Sequence, residues 1–244
     1  MMYKKKKVTL FIQCLVDTLY PEVAEAMVSV LEDLGLELDC PTEQTCCGQP
    51  AFNAGHQREA RAAAVKFIEL FEDAQVIVSP SGSCVNMVRH HYPDLFMADP
   101  SMLERARAVA AKTFEFTEFL VDVLKIENFD ARFPAKVTYH DSCHLNRYLG
   151  IHHQPRKLLA NIRELEFIEM KDPDKCCGFG GTFAVKYADI SSAILEEKVQ
   201  NIIDSGATVV TGCDMSCLMN IQGMLSRKKA QIKVMHIAQL LSAK

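Results

Sequence analysis

The sequence predicts an α/β fold made of two tandem repeats of strand–helix units with mainly parallel sheets. Two observations support this prediction. Short runs of β-branched residues alternate with amphipathic helical stretches, and the whole pattern occurs twice in 244 residues. The composition, 49% apolar and 24% charged, is that of a globular protein with a buried core.

The repeat is clearest at the cysteines. The three recurring features are Val8–Cys14 with Val137–Cys143, Cys46-Cys47-Gly48 with Cys176-Cys177-Gly178, and the apolar run before Cys84 with the run before Cys217. The paired cysteines are 129, 130 and 133 residues apart, so the register changes only by small insertions. We therefore expect two domains, residues 1–130 and 131–244.

The elements of the first half follow from periodicity and end signals. Strands are predicted over residues 8–12, 36–38 and 75–79, and helices over 21–34, 57–71 and after Cys84. Pro21 suits the first turn of a helix, and Gly35 stands where a helix C-cap is expected. An extra helix over 102–112 has no counterpart in the second half.

The second half repeats the alternation. Strands are predicted over 136–140, 165–169 and 207–211, with helices near 154–163 and over 186–204. The stretch Glu127–Pro134 is predicted to link the two halves. Strand–helix alternation favours right-handed crossovers and parallel strands covered on both faces.

Every repeated cysteine follows a predicted strand, and ligands of parallel sheets gather at the carboxyl ends of the strands. We therefore expect one cysteine cluster in each half. The candidate ligands are Cys14, Cys46, Cys47 and Cys84 in the first half and Cys143, Cys176, Cys177, Cys213 and Cys217 in the second.

The spacing of these cysteines favours iron–sulfur clusters. Thiolates select zinc, copper(I) or iron–sulfur clusters, whereas disulfide frameworks belong to small secreted domains. Neighbouring side chains diverge, so an adjacent pair suits two irons of one cluster better than a single tetrahedral zinc. A structural zinc site stays open as the alternative.

The duplicated Cys-Cys-Gly signature resembles the cysteine-rich domain family, which also occurs in heterodisulfide reductase. The motifs Tyr139–Leu145 and Gly212–Asn220 are most similar to the lactate-utilisation protein A group of that family. The resemblance implies a non-autonomous, iron–sulfur electron-transfer component of a complex oxidising lactate to pyruvate. Its implied partners are proteins resembling lactate-utilisation proteins B and C. Disulfide reduction at the cluster is the alternative activity.

The resemblance also implies a non-cubane 4Fe-4S cluster on the five cysteines of the second half. The first half departs from that pattern because Pro80 stands in place of Cys213, which leaves four cysteines. These four are expected to hold an ordinary or a labile cluster, or to serve as a docking surface.

Other polar residues near the motifs have expected roles. Cys40 aligns with Met170 and is predicted to be a small buried core residue. His140 and His144 flank Cys143 and are predicted to hydrogen-bond around it or to carry protons. Asp141 is expected to cap the turn or to orient one of these rings.

Composition and pattern exclude several classes. A net charge of −4 gives no basic surface for nucleic acid, and Lys4–Lys7 is predicted to be a solvated tail. No apolar run is long enough to span a membrane, so a cytoplasmic location is expected. Since no Gly-x-Gly-x-x-Gly follows a strand, any small-molecule substrate is expected to react only through the complex.

Overall fold

The computed structural model describes residues 7–244. The chain divides into two units between Leu124 and Lys125. Each unit contains one sheet of four parallel strands with helices between them. This confirms the predicted α/β class and the two repeats.

The first unit follows the predicted alternation and adds short segments. Its strands are β1 (Lys7–Leu10), β2 (Glu37–Asp39), β3 (Val76–Ser79) and β4 (Thr113–Glu115). Its helices are α1 (Cys14–Leu19), α2 (Pro21–Asp33), α3 (Gln49–Asn53), α4 (Gln57–Phe71), α5 (Gly82–Asn86), α6 (Tyr92–Leu95), α7 (Pro100–Ala110) and α8 (Phe116–Glu118). Two π-helical turns, Met87–His91 and Phe119–Val123, extend α5 and α8.

The second unit is built on the same plan. Its strands are β5 (Arg132–Tyr139), β6 (Arg163–Phe167), β7 (Val209–Gly212) and β8 (Lys233–His236). Its helices are α9 (His153–Ala160), α10 (Phe183–Lys186), α11 (Ala188–Asp204), α12 (Met215–Arg227) and α13 (Ile237–Leu241). A π-helical turn, His144–Tyr148, follows Cys143.

The strand order is the same in both sheets: β2-β1-β3-β4 and β6-β5-β7-β8. The chain leaves β1 toward β2 and then returns past β1 to β3, so the winding direction reverses between β1 and β3. In open parallel sheets a crevice forms at such a reversal, outside the carboxyl ends of the strands. Each unit therefore presents one crevice at the edge where its cysteines lie.

Burial explains why the sheets form. All four residues of β3 and all four of β7 are buried, as expected for strands covered on both faces. In α4 the buried residues recur at three- and four-residue intervals, which turns one face toward the sheet. Burying that face drives helix and strand together.

The structure differs from the predicted elements at several places; among them, β6 begins at Arg163, two residues earlier than predicted. Strands β4 and β8 were not expected, because β4 is three residues long and ends in a buried carboxylate, Glu115. The predicted linker is partly wrong, because Arg132–Pro134 already belong to β5. Lys4–Lys6 lie outside the described residues, whereas Lys7 begins β1 and pairs with Asp39 at 3.0 Å.

The helices are too short or too polar for a membrane span. Among residues 7–244, none combines the length and the apolar character needed to cross a bilayer.

Candidate metal centres

The cysteines of each unit come together at the carboxyl edge of its sheet. In the first unit, Cys14 opens α1 just after β1, and Cys84 is the third residue of α5 just after β3. The Cys46-Cys47 pair lies in the loop after β2. Strands β1 and β3 are the pair at which the winding reverses, so this crevice gathers residues up to 70 positions apart.

The four sulfurs of the first unit form a continuous row. Cys46 accepts hydrogen bonds from the thiols of Cys14 and Cys47, which lower the pKa of Cys46 to about 3. Cys47 is buried, and its sulfur lies 3.4 Å from that of Cys84. The row runs from an exposed Cys14 to a buried Cys84.

The second unit repeats this row with the same order and polarity. The thiols of Cys143 and Cys177 donate to Cys176 and lower its pKa to about 2. Cys177 also contacts Cys217, and both of these cysteines are buried. Cys143, which 32 residues separate from Cys176 in the sequence, thus stands beside the adjacent pair.

The fifth cysteine of the second unit lies against a tyrosine of β5. Cys213 is fully buried, and its sulfur lies 3.2 Å from the hydroxyl oxygen of Tyr139. In the first unit the equivalent position is Pro80, whose carbonyl accepts a hydrogen bond from the Gln13 side chain at 3.2 Å. At this position the second site therefore has a cysteine sulfur, whereas the first site has a proline.

Each adjacent pair is fixed by the glycine that follows it. The N–H groups of Gly48 and Gly178 point at the first sulfur of their pairs, with N–S distances of 3.4 and 3.3 Å. Both glycines have positive φ, and a Cβ on Gly178 would lie 2.6 Å from the carbonyl oxygen of Ser191. Only glycine lets this loop lie so close to α11.

His140 lies at the inner end of the second site, beside Cys177 and Cys217. One of its ring nitrogens and the sulfurs of Cys177 and Cys217 lie within 4.8 Å of one another. Among residues 7–244, this is the one group of three potential metal ligands from His, Cys, Asp or Glu side chains that lie so close together. Both ring nitrogens are buried without a hydrogen-bond partner. Burial, followed by the charge of Lys198, lowers the pKa of His140 to about 3, so the imidazole is neutral at physiological pH.

His144 lies at the surface side of the same site. Its Nδ1 atom is 3.6 Å from the sulfur of Cys143, which agrees with the expected hydrogen-bonding role around that cysteine. Asp141 does not orient either ring. It is fully buried and forms a two-pronged ion pair with Arg156, at 2.7 and 3.0 Å, and a contact of 3.2 Å with His152.

The prediction for Cys40 was wrong. Cys40 is exposed, and its sulfur accepts a hydrogen bond from Gln44 at 3.4 Å. The alignment with the buried Met170 misled because the two loops are held differently: the backbone N–H of Ile12 donates to the Gln44 side chain, whereas that of Asp141 in the second unit donates to the Pro173 carbonyl oxygen.

Lys198 was missed by the sequence analysis. It lies on α11 in the row of buried residues Ser191, Leu195 and Ile202, and it is itself fully buried. Its ammonium donates to the carbonyl oxygens of Asp172 and Pro173 at 2.8 and 3.0 Å. A lysine in the apolar stripe of an amphipathic helix was the sequence feature that could have identified it.

The donor sets suit a soft metal centre. Each row offers four sulfurs within contact distance of their neighbours, and the second site adds an unpartnered neutral imidazole. Buried polar atoms without partners are unusual in folded proteins, so an unpartnered nitrogen facing two sulfurs indicates a site for a bound group. Thiolates and imidazole together favour zinc, copper or iron–sulfur clusters over hard cations.

The chain is similar to known proteins. The profile of the family described as "Cysteine-rich domain" matches residues 8–89 and 137–222. The chain is 54% identical over 237 residues to Lactate utilization protein A of an Exiguobacterium species, covering 96% of both chains. It is 48% identical over 238 residues to Lactate utilization protein A of Bacillus subtilis, covering 98% of this chain and 100% of that one.

Among solved structures, a hypothetical protein from Helicobacter pylori matches 97% of this chain with a TM-score of 0.65. The chain spans about half, 48%, of that protein, and the identity of 11% means that the similarity concerns the fold alone. The family profile, by contrast, covers most of the chain and includes the cysteines described above. The chain therefore belongs to the cysteine-rich domain family and, within it, to the lactate utilization A proteins.

Proposed function

We propose that this chain is an iron–sulfur electron-transfer subunit of an oxidoreductase complex that oxidises lactate to pyruvate. The observation that carries the proposal is the row of four sulfurs in each unit, built around a directly adjacent cysteine pair. The two neighbouring thiols of each pair can bind two irons of one cluster, which suits the row better than a single tetrahedral ion does.

The residues that would hold the clusters are those of the two rows. In the second unit they are Cys143, Cys176, Cys177, Cys217 and, as fifth ligand, Cys213, for a 4Fe-4S cluster of the non-cubane type. In the first unit they are Cys14, Cys46, Cys47 and Cys84. When bound, an iron–sulfur cluster supplies a store for single electrons, at a potential set by its surroundings.

The protein's own residues define those surroundings. Burial of Cys177 and Cys217 keeps water from the inner end of the row, whereas the half-buried Cys143 leaves the outer end accessible. The N–H of Gly178 lies against Cys176, where it stabilises negative charge on sulfur. The neutral ring of His140 faces the inner sulfurs and can serve as a hydrogen-bond donor or as a ligand.

The lactate assignment comes from the relatives. Their printed name is Lactate utilization protein A, and they match this chain over nearly its whole length. Oxidation of lactate to pyruvate removes two electrons and two protons, and we assign that step to partner proteins resembling lactate-utilisation proteins B and C. This chain would accept the electrons singly from them and would contact no lactate itself.

The cofactor is tested on protein purified without oxygen. We expect iron and sulfide in equal amounts, and a visible absorption band that bleaches with dithionite. Zinc without iron would overturn the proposal and leave a structural zinc site. Iron with sulfide would support it irrespective of the substrate.

The substrate is tested with the assembled complex. The two partner proteins, this chain and lactate together should bleach the absorption band, and omission of lactate or of either partner should prevent bleaching. Reduction of a disulfide by the isolated chain, with no response to lactate, would instead indicate the heterodisulfide-reductase-like activity.

A further inference from the structure

A buried lysine lies next to the loop that carries the Cys176-Cys177 pair. Lys198 lies on α11 with no exposed surface, and its ammonium is held by the carbonyl oxygens of Asp172 and Pro173 and by the Met170 sulfur at 3.8 Å. These three acceptors belong to the segment that leads from β6 to the Cys176-Cys177 pair. Lys198 therefore fastens the cysteine loop to α11.

The same hydrogen bonds connect two arms of the site. The carbonyl oxygen of Pro173 also accepts a hydrogen bond from the backbone N–H of Asp141 at 3.0 Å. Asp141 lies two residues before Cys143, so one carbonyl joins the Cys143 arm, the Cys176-Cys177 loop and Lys198. Loss of the ammonium would leave the carbonyl oxygens of Asp172 and Pro173, which accept in partly buried contacts, with one donor fewer each.

The first unit has no such cation at the matching position. Gly48 packs against Ala60 as Gly178 packs against Ser191, so the two helices align at an offset of 131 residues, and Lys198 corresponds to Phe67. His140 likewise corresponds to Phe11. The rings of Phe11 and Phe67 meet edge to face at 4.8 Å between centroids. A buried aromatic pair in one unit is thus replaced by histidine and lysine in the other.

The first unit fastens its loop by another device. The N–H of Ile12, which corresponds to Asp141, donates to the side-chain oxygen of Gln44 at 2.8 Å. Gln44 thus takes the place of the Pro173 carbonyl as acceptor, and its amide group donates back to the carbonyl oxygen of Pro41 at 2.8 Å. In the first unit the neutral side chain of Gln44 thus holds the loop in place, as the charged side chain of Lys198 does in the second unit.

Four acidic groups surround the charge of Lys198. Burial lowers the pKa of Lys198 to about 8, while the acidic groups of Asp174, Asp141, Cys177 and Cys217 act in the opposite direction. Asp141 is itself neutralised by Arg156. The ammonium therefore carries its proton at neutral pH and acts on the inner sulfurs through a dry interior, where charges interact strongly.

We propose that Lys198 is a positioning residue that fixes the Cys176-Cys177 loop and gives the second site a positive charge that the first site lacks. The inference rests on the proposed iron–sulfur function. Its consequence concerns reduction of the second site: adding an electron brings negative charge, and a buried cation favours that step. The second site is therefore more readily reduced with Lys198 than without its charge.

The test measures the reduction potential of the second site alone. In a background with Cys46→Ser and Cys47→Ser, iron and electron paramagnetic resonance signals arise from the second unit. Lys198→Gln keeps donors for the two carbonyl groups but removes the charge, and Lys198→Met removes both. The control is Lys66→Met, the same chemical change at an exposed position of α4.

We expect Lys198→Gln to retain its iron while the equilibrium constant for one-electron reduction falls about tenfold, a shift of about 59 mV toward negative potential. Lys198→Met should show the same shift and also lose iron, and Lys66→Met should change neither quantity. If Lys198→Met does not fold, Lys198→Gln decides the question.

The outcomes separate this inference from the proposed function. Iron and sulfide in every variant, with the potential of Lys198→Gln equal to that of the background protein, would overturn the role of Lys198 and leave the iron–sulfur function standing. Absence of iron and sulfide from the background and the wild-type protein alike would overturn both.

Discussion

The adjacent cysteine pair is the smallest unit that explains the sites. Because neighbouring side chains point in different directions, Cys176 faces the half-exposed outer end of the row and Cys177 its buried inner end. The carbonyl of Cys177 is held by the Asn220 side chain at 2.9 Å, and that of Cys47 by the Tyr92 hydroxyl at 2.9 Å. The pair therefore bridges core and surface within two residues.

Replacing the inner cysteine should remove the second cluster. Cys177→Ser exchanges a soft thiolate for a protonated hydroxyl at a buried position. We expect loss of the iron bound by the second unit, measured by iron and sulfide analysis after purification without oxygen. Cys40→Ser, at an exposed cysteine outside the rows, is the control and should keep all its iron. Full iron content in Cys177→Ser would contradict the assignment.

The glycine after the pair should be equally intolerant of change. In Gly178→Ala the new methyl group would lie 2.6 Å from the Ser191 carbonyl oxygen, at a backbone φ of +78°. We expect a loss of about 2–4 kcal/mol in the free energy of unfolding, measured with urea.

A matched control separates the clash from the backbone strain. Gly206 has a φ of +71° and open space around its Cα, so Gly206→Ala should cost only about 1 kcal/mol for the backbone conformation. Equal losses in the two variants would show that the close approach of the loop to α11 contributes nothing.

At the scale of elements, the strand ends decide where chemistry occurs. Helices α5 and α12 start directly after β3 and β7, and Ser81 and Asp214 cap them by accepting backbone N–H groups. Cys84 and Cys217 are each the third residue of their helix, so the cap that starts each helix also places a sulfur at the edge of the sheet.

Strand β4 ends in a carboxylic acid that should make stability depend on pH. Burial raises the pKa of Glu115 from 4.5 to about 8. Between pH 4.5 and about pH 8 the folded protein keeps a proton on Glu115 that the unfolded chain releases. The stability that this proton contributes to the folded state is therefore fully present below pH 4.5 and is lost as the pH rises to about 8. Glu115→Gln should be more stable than the wild type at pH 8, by on the order of 2 kcal/mol.

The measurement is urea unfolding at pH 5 and pH 8. The advantage of Glu115→Gln should shrink toward the lower pH, because Glu115 is then protonated in the folded protein and increasingly so in the unfolded chain. Glu37→Gln, at an exposed position in β2, should leave the pH dependence unchanged. Parallel pH profiles for Glu115→Gln and the wild type would contradict the prediction.

The elements that sequence predicts well are those with a single strong periodicity. Helix α4 begins and ends where its apolar repeat does, and α2 starts at Pro21. The strands β4 and β8 were not predicted from the sequence, because each has only three or four residues and includes charged side chains. Tertiary pairing with β3 and β7, invisible in a local window, makes these segments extended.

For the site, the sequence predicted which cysteines converge but not what lies behind them. Repetition of the Cys-Cys-Gly motif after strands was enough to bring Cys14 and Cys84, or Cys143 and Cys217, to one edge. Lys198 is marked in the sequence as a lysine in an apolar helix stripe, but its role and that of Arg156 depend on packing between segments far apart in sequence. The exposure of Cys40 depends on a loop path set by Gln44, for the same reason.

At the scale of the whole molecule, each unit holds its own row of sulfurs. The rows draw every ligand from one unit alone, so their iron losses should add. Cys47→Ser should remove the iron of the first unit, Cys177→Ser that of the second, and the double variant all of it. Iron analysis of the three proteins measures this, and complete loss in either single variant would show that the sites depend on each other.

The self-sufficiency of each half also bears on how the protein evolved. Once a gene segment encoding one sheet and its thiols is copied, each copy accumulates substitutions without unfolding its sibling. Pro80 opposite Cys213, and Phe67 opposite Lys198, are the record of that freedom. Internal duplication thus accounts for a single polypeptide with two thiol sites whose surroundings have diverged separately.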